Sequence, residues 1–170
     1  MSKTLTRWNQ LSEEAAIDEI RSCCGSAVWA RQLVARRPIA DEVSLVMLSD
    51  EIWNRLSTED WAEAFSKHPR IGERTAPQAA SSRSAAWSTH EQQSVAAAGE
   101  LLQLALAEAN REYERRFGQV FIVCATGKSA PEMLDILRRR LQNDEATELR
   151  EAAVEQRKIT NIRLNKWLSQ

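Results

Sequence analysis

The sequence predicts an all-α protein, a compact single-domain bundle of about seven or eight helices over residues 1–170, with a short extended segment near 120–125. Only five glycines and four prolines interrupt the chain, and strand-like alternation of apolar and polar residues is scarce. Hydrophobic residues make up 43% and charged residues 28%, which are ordinary values for a globular protein of this length. Helices therefore account for most of the chain.

The first two predicted helices have clear start and stop signals. Ser12 is a good N-cap for a helix over about 12–22, and Ser26 is a good N-cap for the next one. The second helix ends before Pro38, because the residue that precedes a proline resists the helical conformation.

Two more helices are predicted before residue 66. One runs over about 41–56, and its apolar face consists of Val43, Val46, Met47, Leu48, Ile52 and Trp53. The other is short and ends near Phe65. Its start is indicated by Ser57 and Asp60, which resemble a capping arrangement.

The helical pattern is lost over about 67–87, where Pro69, Gly72 and Pro77 occur. An irregular stretch of this length is uncommon inside a compact domain and is often functional. We expect a long helix to follow it, over about 89–116.

A short apolar stretch and two helices complete the chain. Residues 120–124 are apolar throughout and are interpreted as buried extended backbone. Ser129 and Glu132 open a helix in the manner of a capping box. Residues 143–144 interrupt it, and the last helix runs to about Leu168.

Composition excludes several classes of protein. The net charge is −1, so no overall field attracts nucleic acid or an anionic membrane, and the basic run 138–140 is interpreted as a solvated helix face. No apolar run approaches the roughly 18 residues of a membrane span. Three cysteines, two of them adjacent, make a poor disulfide framework, which favours a reducing cytoplasm.

His68 is the first candidate catalytic residue, because it lies where a predicted helix ends and the irregular segment begins. Pro69 favours an extended conformation at His68, which directs the ring away from the helix. An imidazole exchanges protons near neutral pH. A lone histidine can equally be structural, so its position alone leaves both interpretations open. His90 is interpreted as a surface residue.

Ser88 and Glu91 form an S-x-x-E pattern at the start of the predicted long helix. A capping box explains both residues structurally. The alternative is a binding role, since the N-terminus of a helix also suits anionic ligands.

Arg163 falls near the middle of an apolar stripe on the last helix, formed by Leu149, Ala152, Ala153, Ile159, Leu164 and Trp167. A charge in that position is costly unless it is paired. Two interpretations stay open: an internal ion pair with a carboxylate, or a guanidinium presented to an anionic or carbonyl-rich substrate.

No sequence pattern indicates a metal or nucleotide site. There is no H-x-x-x-H, cysteine cluster or G-x-G-x-x-G. Residues 125–129 invite a P-loop interpretation, but Ile122 stands where that loop needs a glycine. A turn followed by a helix cap is predicted there instead.

Four motifs in order along the chain resemble the 2-oxo-4-hydroxy-4-carboxy-5-ureidoimidazoline (OHCU) decarboxylase family. They are His68-Pro69-Arg70-Ile71-Gly72-Glu73, Trp87-Ser88-x-x-Glu91-Gln92, a longer stretch from Arg116-Phe117-Gly118 through Phe121 to Ser129, and Lys158-Ile159-Thr160-x-x-Arg163-Leu164. The resemblance extends over about residues 11–168. The N-terminal motifs Cys23-Cys24-Gly25-Ser26 and Arg37-Pro38 are similar to the bacterial members.

This resemblance implies a compact helical enzyme that uses no metal or organic cofactor and converts OHCU to (S)-allantoin in urate degradation. A small-molecule ureide is the implied substrate, and a homodimer the implied assembly. The resemblance places catalytic roles at His68, Glu91 and Arg163, and substrate-binding roles at Pro69, Ser88, Ile122, Val123, Cys124 and Arg163. The rival class is a non-enzymatic interaction module, which would expose a large apolar groove and give His68 no special role.

Overall fold

The computed structural model describes residues 2–72 and 81–170, which contain ten α-helices and no strand. The all-α class is confirmed, and the predicted number of helices was too low. The helices are α1 (Lys3–Asn9), α2 (Glu13–Ile20), α3 (Ala27–Val34), α4 (Glu42–Asn54), α5 (Thr58–Ser66), α6 (Ser82–Glu91), α7 (Gln93–Ala96), α8 (Glu100–Phe117), α9 (Ala130–Arg140) and α10 (Glu145–Leu168). None of these described helices is both long and apolar enough to cross a bilayer.

The chain divides into two compact units. The first unit consists of residues 1–64 and 157–170, and the second unit of residues 65–156. The division falls within α5 and within α10, so each of these helices contributes residues to both units.

Capping hydrogen bonds confirm the predicted helix starts of the first unit. The side chains of Ser12, Ser26 and Asp41 each accept the backbone N–H of the residue three positions later. Ser57 Oγ likewise accepts the N–H of Asp60 at 3.2 Å. Local sequence alone therefore determines where α2 to α5 begin.

The first unit also contains α1, which the sequence analysis missed. This helix has only seven residues, too few to display a helical period. Ser2 caps it, and Leu5 and Trp8 are fully buried on its inner side. Trp8 packs edge-to-face against Trp167 of α10, with ring centroids 5.7 Å apart.

The predicted apolar face of α4 was partly wrong. Val43 and Met47 are 69% and 67% exposed, whereas Ser49 is buried. Ser49 Oγ accepts a 3.3 Å hydrogen bond from the indole N–H of Trp29, which satisfies the hydroxyl inside the core. Because α4 is apolar on most sides, hydrophobicity alone could not indicate the inner face.

The prediction of one long helix over 89–116 was wrong, because the structure has α6, α7 and α8 in this region. Ser88 and Glu91 therefore lie inside α6 rather than at a helix start, and Ser81 is the cap of that helix. Gly99 precedes α8, but the alanines before it have high helix propensity and hid the interruption. The predicted irregular segment also proves partly helical, because α6 begins at Ser82; its residues 73–80 lie outside the described part.

The core of the second unit is an apolar cluster built from α8, α9 and the non-helical stretch between them. Its fully buried members include Tyr113, Met133 and Leu137. Residues 121–125 are all buried and belong to no helix, in agreement with the predicted buried stretch.

Candidate active site

His68 lies two residues beyond the end of α5 and is half-buried, while Pro69 is buried. The backbone N–H of His68 donates to the Phe65 carbonyl at 3.0 Å, which closes the last turn. The sequence placed His68 at a helix end, and the structure agrees.

The backbone after His68 is anchored by two amide side chains of the second unit. Asn110 Nδ2 donates to the Ile71 carbonyl at 3.1 Å, and the Gly72 N–H donates to Gln92 Oε1 at 3.0 Å. Asn110 belongs to α8 and Gln92 follows α6, so the loop that carries His68 is held by two separate parts of the second unit.

Ser88 and Glu91 are three residues apart on α6 and therefore lie on the same side of the helix. Ser88 is buried and Glu91 is half-buried. Burial is the main cause that raises the pKa of the Cys124 thiol, and the negative charges of Glu155 and Glu91 raise it further. The structure thus brings two predicted site residues, Glu91 and Cys124, within electrostatic range of each other.

Three charged side chains bind the backbone of residues 122 and 124. Arg140 Nη1 donates to the Ile122 carbonyl at 2.6 Å, and the Cys124 N–H donates to Glu155 Oε2 at 2.8 Å. Lys128 Nζ donates to the Cys124 carbonyl at 2.6 Å. Because these groups belong to alternate residues, extended backbone would direct all of them to one edge.

The backbone groups of Val123, the residue between Ile122 and Cys124, are not bound in this way. Val123 is only 4% exposed, yet within residues 2–72 and 81–170 its N–H and C=O have no hydrogen-bond partner. Buried backbone groups are nearly always paired. Extended backbone, which the sequence predicts for this stretch, directs the N–H and C=O of one residue to the same edge, here called the Val123 edge. It would place a donor and an acceptor side by side there.

The predicted exposure of Arg140 was wrong. Arg140 was interpreted as part of a solvated face, but its side chain is fully buried. Its Nε and Nη2 atoms donate to Glu148 Oε1 at 2.9 and 2.5 Å, and the guanidinium lies 4.7 Å from the centre of the Phe121 ring. A helical wheel could have found it, because Met133, Leu137 and Arg140 lie on one side of α9.

Glu148 has two further partners in this buried group. It accepts the Tyr113 hydroxyl, and Asn143 Nδ2 donates to Glu148 Oε2 at 2.9 Å. Burial, together with the hydrogen bond to Glu148, raises the pKa of Tyr113. The carboxylate is therefore well satisfied despite its burial.

Arg163 belongs to the first unit and is 2% exposed on α10, so its predicted burial is confirmed. Burial raises the pKa of the nearby Cys24 to about 11, while a hydrogen bond with Thr160 and the positive charge of Arg163 act in the opposite direction. His68, Ser88, Glu91 and residues 122–124 belong to the second unit, so a joint role with Arg163 stays a prediction.

The 125–129 segment is the predicted turn and helix cap. The Lys128 N–H donates to the Ala125 carbonyl at 3.0 Å, and Gly127 has a φ of +79°. Ser129 and Glu132 form the capping box of α9. In the described ranges, no group of three or more His, Cys, Asp or Glu is arranged to hold a metal ion.

Comparison with known proteins adds a family match. The family model described as OHCU decarboxylase matches residues 9–165. The uric acid degradation bifunctional protein TTL of Arabidopsis thaliana is 38% identical over 94% of this chain, and the bifunctional protein PucL of Bacillus subtilis is 28% identical over 95%. These matches cover 49% and 32% of those proteins, so the chain spans about half or less of their length.

Two solved structures are also similar. A crystal structure of OHCU decarboxylase in the presence of (S)-allantoin has a TM-score of 0.77 and 35% identity, covering 90% of this chain and 99% of that one. A crystal structure of (S)-allantoin synthase has a TM-score of 0.71 at 17% identity, over 96% of this chain and 53% of that one. The second likeness concerns the fold alone.

Proposed function

The chain belongs to the OHCU decarboxylase family, and from this premise we propose that it decarboxylates OHCU to (S)-allantoin in urate degradation. The observation that carries the proposal is the family match over residues 9–165, which spans both units. The likeness to a solved OHCU decarboxylase, which covers nearly all of that chain, supports it.

The proposed chemistry needs no added electron sink. The substrate carries a carboxylate and a hydroxyl on the same ring carbon. When the bond to the carboxylate breaks and CO2 leaves, its electron pair passes into the neighbouring C=N bond of the ring. The protein must orient the ring, stabilise the charge that moves onto it, and deliver a proton to one face.

His68 is the proposed general acid or base, with Glu91 as its acidic partner and Ser88 as a substrate-binding hydroxyl. An imidazole is suited to this work because it gains and loses a proton near neutral pH. Support comes from the position of His68, half-buried beyond α5 on a loop held by Asn110 and Gln92. The buried Pro69 beside it is proposed to border the substrate.

The Val123 edge is proposed to bind the ureide ring. A ureide or lactam has a C=O next to an N–H, which complements the adjacent donor and acceptor of one extended residue. The lack of any partner for these two groups among the described residues supports this role. Ile122 and Cys124 stay proposed substrate-binding residues. The Ile122 carbonyl and both Cys124 backbone groups do not take part in that proposed binding, because they already bind Arg140, Glu155 and Lys128.

Arg163 is proposed to anchor the oxygens of the ring or of the ureido group. This assignment rests on the motif that contains it and on the burial of a guanidinium in an apolar stripe.

Stereochemistry provides the test of the activity. OHCU is made from urate with uricase and hydroxyisourate hydrolase, this protein is added, and circular dichroism is recorded. Faster appearance of (S)-allantoin supports the proposed enzyme. A racemic product that forms at the uncatalysed rate contradicts it and favours an interaction module.

We further propose that the chain forms a single domain over 1–170, that it is a cytoplasmic homodimer, and that it is related to the bacterial members of the family. Three buried cysteines without a disulfide are compatible with a reducing compartment. The molar mass in solution, measured by light scattering against the 19.3 kDa of one chain, distinguishes dimer from monomer.

A further inference from the structure

The Ile122 carbonyl is held by a buried ion pair rather than by another backbone group. Arg140 donates one N–H to this carbonyl at 2.6 Å and two others to Glu148. The guanidinium is fully buried, and the Glu148 side chain is 1% exposed. A single cation on α9 therefore connects the backbone before Val123 to the start of α10.

Core stability alone does not explain this pair. Removing two charges from water is costly, and apolar residues of similar volume are often equally stabilising in such positions. What an apolar side chain cannot do is donate to the Ile122 carbonyl. The planar guanidinium can do so while two of its other N–H groups stay on one carboxylate.

The connection to the Val123 edge is direct. Arg140 fixes the carbonyl immediately before the Val123 N–H, since both belong to the same peptide unit. That peptide is planar, so the direction of one group sets the direction of the other. Glu155 fixes the Cys124 N–H, which shares its peptide unit with the Val123 carbonyl.

We propose that Arg140, held by Glu148, is a positioning residue that aims the Val123 N–H at the ureide ring. This inference rests on the proposed function and deepens it. Arg140 touches no reacting atom and acts on the substrate only through the backbone. Loss of Arg140 is therefore expected to weaken the binding of the ring equally in the substrate complex and in the transition state.

The test variant is the double substitution Arg140→Met with Glu148→Gln. It removes both charges, so neither is left buried alone, and the glutamine oxygen still accepts the Tyr113 hydroxyl. Arg140→Lys is the second variant, used if the double variant does not fold. It keeps a partner for Glu148, but one ammonium cannot reproduce the fork that also reaches Ile122.

The matched control is Arg139→Met with Glu151→Gln. Arg139 directly precedes Arg140, and Glu151 follows Glu148 by three residues. These two side chains also pair between α9 and α10, but they are 59% and 28% exposed. The hydrogen bonds of Arg139 within the described ranges go to Glu151, and none goes to residues 122–124.

Steady-state kinetics of (S)-allantoin formation decide the matter, with thermal unfolding as the check on folding. Losing an interaction made equally by bound substrate and transition state raises KM, so we expect KM to rise about tenfold and kcat to change less than about threefold. The control keeps both constants. A folded Arg140 variant with unchanged KM, or with a loss confined to kcat, overturns the inference. An inactive wild-type protein instead contradicts the proposed function, and the inference falls with it.

Discussion

At the scale of single residues, Arg163 is the assignment with two physically distinct alternatives. We expect Arg163→Ala to raise KM about tenfold or more, because a charged hydrogen bond to the substrate contributes about 1.5–3 kcal/mol. Arg157→Ala, on the same helix and in the same unit, is the control and should leave KM unchanged. An unchanged KM in Arg163→Ala, accompanied by a lower free energy of unfolding, would identify a structural ion pair.

Cys24 gives a prediction for stability at high pH. Its pKa rises from the ordinary 9.0 to about 11 in the folded state, so between these values the folded protein keeps a proton that the unfolded chain loses. The proton retained on Cys24 stabilises the folded state by about 2–3 kcal/mol. This stabilisation is complete below pH 9 and is lost as the pH rises through 11. Denaturant unfolding from pH 8 to 11 should show a steeper fall in wild type than in Cys24→Ala. Parallel curves would count against the shift.

The burial of Arg163 and the position of His68 at a helix end could be predicted from sequence, because each side chain conflicts with its local pattern. Arg163 stands out as a charge in an apolar stripe, and His68 stands out before a proline at a helix end. Arg140 has the same signal as Arg163, but two neighbouring arginines concealed it and led to the opposite interpretation. The open polar groups of Val123 had no sequence signal, because every residue except proline has the same backbone donor and acceptor.

At the scale of elements, the start of α9 fixes where Arg140 lies along that helix. Ser129→Ala removes the hydroxyl of the capping box, and we expect the free energy of unfolding to fall by about 1 kcal/mol. Ser82→Ala, at an exposed position in α6, is the comparison and should change it by less than about 0.5 kcal/mol. Equal unfolding midpoints for the two variants would mean that the cap contributes little.

Helix starts were predictable because a cap is a local interaction between residues three positions apart. Ser12, Ser26 and Ser129 were all located from sequence for this reason. The division of 82–117 into three helices was missed, since the residues around the breaks, such as Ala97, favour helix as strongly as those inside. Packing decides such breaks, and packing is not visible in one sequence.

At the scale of the whole molecule, stability depends on whether buried charge is compensated. Arg140→Met alone leaves Glu148 buried without its cation, so we expect a loss of about 3–5 kcal/mol in unfolding free energy. Adding Glu148→Gln should restore most of that loss, because no ion is then left buried. Chemical denaturation of both single variants and the double variant measures the coupling. Additive losses would show that the two side chains do not act as a pair.

The proposed activity of the whole protein depends on His68 transferring the proton in an OHCU decarboxylase. Its most direct test compares wild type, His68→Asn and His90→Asn in the circular dichroism assay of (S)-allantoin formation. His90 is the other histidine of the chain and lies exposed on α6, so its variant should behave as wild type. We predict that His68→Asn lowers kcat by about 10²–10⁴-fold while its thermal unfolding is unchanged. A folded His68→Asn protein that keeps turnover within about threefold of wild type would contradict the proposed catalytic role of His68.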